Sequence, residues 1–311
     1  MDRRLLNDMQ AAYGLAVTQI QPLTGGWLNE LWKVTTQRGD LLVKRFSHRR
    51  YSAAGLEKIE QALERQRQVA AQGIPSPEIL LCGGKAVRRV GEDLSYMVTA
   101  FCPGHNECRE TVTPVQLKSL GDVCGRLHRA FSALPRNKRD ESAGSAQFLQ
   151  GLWNNFRTRK AAFCGDDPPG YQHAVLAQKA ILHSLTVGWL DSLPRGVAHE
   201  DFAPDNLLFD ENGVTAVIDF DRNCRSFLWH DVGRALLSFC LTGQGLDKEK
   251  TAAFTEGYTR HLPVSVPDAL RITWCIEASW WITPEGFRLE GGKAAGYRED
   301  ILWLTNNWFQ L

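Results

Sequence analysis

A chain of 311 residues is too long for one minimal core and fits two lobes. Its 43% hydrophobic and 23% charged residues exclude a disordered chain, and a net charge of +1 argues against a nucleic-acid partner, which favours a basic surface. The eight cysteines form no Cys-x-x-Cys pair or zinc spacing, and no apolar run suggests a signal core or a bilayer span, so the expected setting is a reducing cytoplasm without a membrane partner.

In chain order, residues 30–36 and 40–46 read as strands of a hairpin around Gly39. Residues 55–72 have helical period, with Leu56, Ile59, Leu63 and Ala70 on one stripe, and Gly73, Pro75 and Pro77 end the helix. Two further strands, 86–90 and 94–101, flank the turn Gly91-Glu92-Asp93. The first hundred residues thus read as strands plus one helix. Pro103-Gly104 breaks the pattern, which predicts an N-terminal lobe over 1–104 and a C-terminal lobe over 105–311. Thr113-Pro114-Val115-Gln116 is a capping box with proline at the first helical position; the helix it opens carries Leu120, Cys124, Leu127 and Phe131 on one face. The remainder reads as helical, apart from a β segment over 196–219 and a polar loop over 135–147. Trp274, Trp280, Trp281, Trp303 and Trp308 near the C-terminus suit a helical core.

Chemistry concentrates in His199-Glu200-Asp201-Phe202-Ala203-Pro204-Asp205-Asn206 and in Val217-Ile218-Asp219-Phe220. Between them, 206–209 and 214–218 flank the turn Asp210-Glu211-Asn212-Gly213. A hairpin brings its ends together, so Asn206 and Asp219 are expected side by side, with Asp201 one short loop away. Hard oxygen ligands of this kind hold Mg2+ against phosphates, and a carboxylate can orient an attacking hydroxyl. In the first lobe, strand alternation puts Leu42, Lys44 and Phe46 on one face, and an inward lysine needs a phosphate or a carboxylate. Upstream, Gly25 and Gly26 lie in a turn where backbone N–H groups can approach phosphate oxygens.

In these residues and their order, the chain resembles the aminoglycoside phosphotransferase/choline kinase family of the protein-kinase-like superfamily, near its homoserine kinase type II and spore-coat kinase-like branches. The resemblance implies an α/β (α+β) bilobal protein-kinase-like fold, with a small β-rich N-lobe, a larger mostly helical C-lobe and nucleotide in the cleft. It makes Asp201 the catalytic base, Asn206 a metal ligand and Asp219 the principal metal ligand. Protein kinases have Asp-Phe-Gly at the last site, where this chain has Asp219-Phe220-Asp221. Lys44 becomes the lysine that holds the α- and β-phosphates, paired with a glutamate of the 55–72 helix. Glu57, Glu60 and Glu64 share a face, and Glu60 is the choice. Residues 96–104 resemble the hinge that reads adenine through backbone groups near Thr99 and Phe101.

The implied cofactors are ATP or GTP with Mg2+, and the implied partner is a small-molecule hydroxyl acceptor: an amino alcohol, a homoserine-like metabolite, a sugar or an aminoglycoside. The alternative is a kinase-fold binding or spore-coat-type protein with little or no turnover, although every polar residue the chemistry needs is present. A protein kinase is disfavoured, because no Ala-Pro-Glu segment follows and the stretch from Asp219 to Asp231 leaves no room for a long activation loop. Asp231 reads as a helix N-cap that in the family braces the catalytic loop, and His199 as a residue that shapes it. His128 and His183 read as ordinary helix residues. The acceptor is expected against the C-terminal lobe near Asp201, with Trp280 or Trp281 as one wall.

Overall fold

The computed structural model describes residues 1–23, 29–135, 143–162, 171–283, 286–287 and 293–311. The chain divides into two compact units: Met1–Asn106 with Asn206–Asn223, and Glu107–Asp205 with Cys224–Leu311.

The first unit opens with α1 (Arg3–Tyr13), an element the sequence reading lacks. Asp2 caps its start by accepting the Leu5 N–H at 2.8 Å, and Gly14 ends it at φ 65°. Strands β1 (Val17–Leu23), β2 (Glu30–Thr36) and β3 (Gly39–Arg45) follow, then α2 (Ala53–Ala70), β4 (Ile79–Leu80), β5 (Arg88–Val90) and β6 (Leu94–Ala100). All the pairings are antiparallel in the order β1-β2-β3-β6-β4, with β5 on β6. Alternation gives this sheet two apolar faces. Leu5, Met9 and Tyr13 of α1 cluster with Trp32, Val34, Leu41, Val43, Tyr96 and Val98. Leu56, Ile59 and Leu63 of α2 cluster with Phe46, Ile79 and Met97. The α2 stripe closes on Val69, which is fully buried, and leaves the expected Ala70 half-buried.

The second unit begins with α3 (Pro114–Ser132), whose capping box forms as expected: Thr113 Oγ1 accepts the Gln116 N–H, and Gln116 Oε1 accepts the Thr113 N–H. It continues through α4 (Ser145–Ala162), α5 (Tyr171–Ser184), α6 (Val187–Ser192) and β7 (Arg195–Ala198). The chain then re-enters the first unit as the hairpin β8 (Leu207–Asp210) and β9 (Gly213–Val217). This corrects the expected 105–311 lobe at residues 206–223. The reason is hydrogen bonding: His105 and Phe209 exchange both backbone bonds, and Val217 N–H donates to Pro75 O at 2.8 Å. Gly104 makes the approach possible; at φ 118° a Cβ there would lie 2.4 Å from Thr215 Oγ1.

The chain returns to the second unit with β10 (Cys224–Phe227), which pairs with β7, then α7 (Trp229–Cys240), α8 (Lys248–Thr259), α9 (Val266–Trp281) and α10 (Lys293–Asn307). Two-residue strand pairs follow α7 and α9. Helices α3 and α8 cross closely through Gly121 and Gly257, where a Cβ would meet the opposite backbone at 2.0 and 2.1 Å. No helix among the described residues is long and apolar enough to cross a membrane.

Candidate active site

Lys44 is buried because β3 turns Leu41 and Val43 to the α1 side and Lys44 and Phe46 to the α2 side. Its ammonium does not meet α2. Lys44 Nζ lies 2.8 Å from Asp219 Oδ1 and 2.6 Å from Asp221 Oδ2. Asp221 is buried and meets the lysine as an ion pair without hydrogen-bond geometry. Burial opposes the lysine's charge, but Asp221 and Asp219 outweigh it and push its pKa up. Burial likewise raises the pKa of Asp221; Lys44 pulls it back, and Asp219 adds to the rise.

The pairing of Lys44 with Glu60 expected from the sequence does not form. The Glu60 carboxylate accepts the N–H groups of Ala86 and Val87 at 3.0 and 2.8 Å. Glu57 faces Arg89 and Glu64 faces Arg67. The segment 219–223 takes the place on the lysine because it is pinned to α2: Asn223 Nδ2 donates to Ala62 O, and Arg65 holds both Asn223 Oδ1 and Asn223 O.

Asn206 reaches the same neighbourhood through the hairpin. Leu207 pairs with Val217, and the next rung is the Ile218 N–H donating to Asn206 O at 2.9 Å. Asp219 follows with left-handed backbone, φ 59° and ψ 56°. That conformation is rare for a residue with a side chain, and such strain gathers at working sites. Two carboxylates share one ammonium here, and the Asp219 side chain remains 39% exposed. A net negative cluster of hard oxygens next to an asparagine is a donor set that suits a divalent cation. Among the described residues, no three His, Cys, Asp or Glu side chains gather as a closed metal cage.

Asp201 belongs to the second unit, on the loop after β7. The residue before it, Glu200, also has left-handed backbone, at φ 65°. Asp231 organises this loop. Its Oδ2 accepts the His199 N–H at 2.7 Å and its Oδ1 accepts the Glu200 N–H at 2.9 Å. His128 Nε2 donates to Asp231 Oδ2 at 3.0 Å, since an ionised carboxylate can only accept, and Tyr258 Oη lies 3.0 Å from His128 Nδ1. Asp231 stands inside the first turn of α7, so its carboxylate is spent on the loop and the expected N-cap role is corrected. His128 is fully buried as the second support of the same carboxylate, which replaces its reading as an ordinary helix residue.

A buried ionic chain extends from Glu200. His230 bridges Glu200 Oε1 at 3.2 Å and Glu277 Oε1 at 3.1 Å. Arg234 bridges Glu277 Oε2 and Asp300 Oδ2 at 2.7 Å each, and Arg109 holds Asp300 Oδ1 at 2.8 Å. Burial works against the His230 charge, yet Glu200 and Glu277 raise its pKa to about 10. Burial also works against the Glu277 charge, but Arg234 and His230 bring its pKa down to about 2. The Arg234 guanidinium stacks on the Tyr297 ring at 4.6 Å. Burial raises the Tyr297 pKa first, and the charges of Asp205 and Asp201 add to the rise, which puts this phenol within electrostatic reach of Asp201.

At the expected hinge, Thr99 is fully buried in β6 between Leu42 and Ile79. The Phe101 N–H donates to Asp40 O at 3.1 Å, at the end of the sheet. Gly25 and Gly26 lie outside the described residues, as do the side chains of Trp280 and Trp281. Sequence reasoning missed Asp221, Glu200, His128, His230, Arg234, Asp300 and Tyr297 as participants. The available signals were acids and bases next to recognised motif residues: Asp221 beside Asp219, Glu200 beside Asp201, His230 beside Asp231.

A family model described as phosphotransferase enzyme family (APH) matches residues 19–264. A homoserine kinase of Xanthobacter autotrophicus is 26% identical over 285 residues, 87% of this chain and 83% of its own. Among solved structures, an amicoumacin kinase in complex with AMP-PNP, Ca2+ and Ami aligns over 99% of this chain and 94% of its own, with TM-score 0.67 and 15% identity. A microcompartment-associated aminopropanol kinase aligns over 99% and 98%, with TM-score 0.60 and 13% identity. At such identities the structures show the fold, which is protein-kinase-like.

Proposed function

Since the chain belongs to the APH phosphotransferase enzyme family, we propose that this small-molecule kinase moves the γ-phosphoryl group of ATP, with Mg2+, onto the hydroxyl of an amino alcohol or hydroxy amino acid. The observation that carries the reading is Lys44 held by Asp219 and Asp221, with Asp219 in left-handed backbone one rung past Asn206. The acceptor class follows the relatives, a homoserine kinase by sequence and an aminopropanol kinase by fold.

Asn206 and Asp219 would hold the divalent ion. An Mg2+ ion takes one or two protein oxygens and completes its shell with phosphate and water. Bound there, it supplies neutralisation of the β- and γ-phosphate charge. Lys44 supplies the fixed positive charge that orients the phosphates; by the family pattern, Gly25 and Gly26 would supply backbone N–H groups to the phosphates and the 99–102 segment the backbone groups that read the base. Asp201 orients the acceptor hydroxyl and takes its proton as the oxygen–phosphorus bond forms; the bond to the β–γ bridging oxygen breaks and ADP leaves. The reading includes a cytoplasmic setting, where buried thiols such as Cys124, Cys240 and Cys275 stay reduced.

The test is nucleotide turnover with L-homoserine, 1-amino-2-propanol and amicoumacin as acceptors, with and without Mg2+, and with GTP in place of ATP. Acceptor-dependent ADP release that requires Mg2+ is expected. Asp201→Asn should keep Mg·ATP binding and lose transfer by about a hundredfold or more. No acceptor-dependent release with any of the three would refute this acceptor class, and full activity of Asp201→Asn would remove Asp201 as the base.

A further inference from the structure

Among the described residues, Glu200 and Asp219 are the only ones other than glycine with positive φ. For an L-residue the left-handed conformation is strained, and it persists only where the surroundings over-determine it. For Glu200 the surroundings are specific. Its N–H and that of His199 are held by Asp231, and its carboxylate is held by His230. His230 is held in turn by Glu277, Glu277 by Arg234, and Arg234 by Asp300, whose other oxygen takes Arg109. The chain alternates three anions with three cations and is buried at its middle, where the His230 and Arg234 side chains are 5% exposed and that of Asp300 1%, while Arg109 at its far end is 33% exposed. It ties the loop to α7, α9 and α10.

Buried ion pairs of this kind seldom add net stability, because desolvation offsets the attraction. Their geometric effect is more definite, since each partner fixes the position of the next. The chain ends on the residue of this loop that must hold a strained backbone, and the next residue is Asp201. We propose that Glu200 is a positioning residue: anchored through His230 to Glu277 and Arg234, it holds the loop in the left-handed conformation that sets where the Asp201 carboxylate stands. The proposal rests on the reading of Asp201 as the base. Glu200 itself takes no proton and contacts no reacting atom.

Glycine adopts left-handed backbone without help, so it separates this role from a general contribution to stability. His230→Phe should lower kcat about tenfold or more while leaving the Mg·ATP dissociation constant unchanged, because misplacing a catalytic group falls on the chemical step. Adding Glu200→Gly to His230→Phe should restore kcat to within about threefold of wild type, because the strain has gone with the side chain. Glu200→Ala, which still resists positive φ, should stay impaired beside Glu200→Gly. A His230→Phe enzyme with wild-type kcat, or a double variant no faster than the single one, overturns the proposal. Should His230→Phe fail to fold, the Glu200→Ala and Glu200→Gly pair decides, and equal kcat for the two overturns it.

A readout without turnover separates this proposal from the functional reading. Amide and Cα chemical shifts of residues 199–203 should move in His230→Phe. Unmoved shifts overturn the positioning role; a wild type that phosphorylates none of the acceptors, with shifts that do move, counts against the acceptor reading alone.

Discussion

Removing the Asp231 carboxylate should destabilise the protein more than its position inside a helix suggests. The residue is fully buried, and so are His128 and His199. Asp231→Ala leaves two backbone N–H donors, those of His199 and Glu200, and the His128 ring donor without an acceptor. An unsatisfied buried donor costs about 1–3 kcal/mol, and relief from burying the charge offsets part of the total, so a net loss of about 4 kcal/mol is expected. At about 2.1 cal/mol/K of unfolding entropy per residue, a chain of 311 residues loses about 1.5 °C of Tm per kcal/mol, so the expected fall in Tm is roughly 6 °C. Asp231→Asn should recover part of it, since its carbonyl can accept while its amide faces donors. The assay is calorimetric unfolding, together with hydrogen exchange at the His199 and Glu200 amides, which should lose protection before the rest of the second unit. Burial opposes the Asp231 charge, but His128 and its neighbours outweigh it and hold the pKa below its ordinary value of 3.8. The stabilisation is therefore fully present above pH 3.8 and is lost as the pH falls below it. An alanine variant that unfolds within about 2 °C of wild type would refute the accounting, because three buried bonds would then carry no net stability.

Three further outcomes follow from the geometry. Asp219→Ala should weaken Mg·ATP binding by about tenfold or more, by calorimetry, because it removes one of the two side chains proposed to hold the ion; unchanged affinity would remove the metal role. Glu60→Ala should destabilise by about 1–3 kcal/mol in urea titrations, through the stranded Ala86 and Val87 amides, with KM for ATP unchanged; a raised KM would reinstate a nucleotide role for Glu60. His230 has a folded pKa of about 10 against an ordinary 6.5, so its stabilisation is complete below pH 6.5 and is lost as the pH rises towards 10. Tm measured across that range should fall in wild type and stay flatter in His230→Phe; parallel curves would show that the pairing with Glu200 and Glu277 contributes nothing.

Much of the site was legible because it is written in local patterns. The turn 210–213 implied a hairpin, and a hairpin must juxtapose its ends, so the approach of Asn206 to the Asp219 strand needed no tertiary information. The inward face of Lys44 followed from strand alternation. The capping box at Thr113 and the buried stripe through Leu120, Cys124, Leu127 and Phe131 were likewise local. The errors have a common cause. That Lys44 wanted an acid was readable, but which acid was not. Glu60 and Asp221 are both carboxylates near apolar residues, and the choice depends on Asn223 pinning the 219–223 segment to α2 while Glu60 turns to two loop amides.

The sequence by itself determined the periodic elements, the order of the motif residues and thereby the family, because each depends on neighbours along the chain. Only the tertiary structure decided that residues 206–223 join the first unit, that Lys44 closes on Asp219 and Asp221, and that His128, Asp231 and the chain from Glu200 to Arg109 stand behind the Asp201 loop. Those contacts join residues up to 191 positions apart, and no periodicity or spacing along one chain encodes which of several equivalent acids and bases a buried partner will meet.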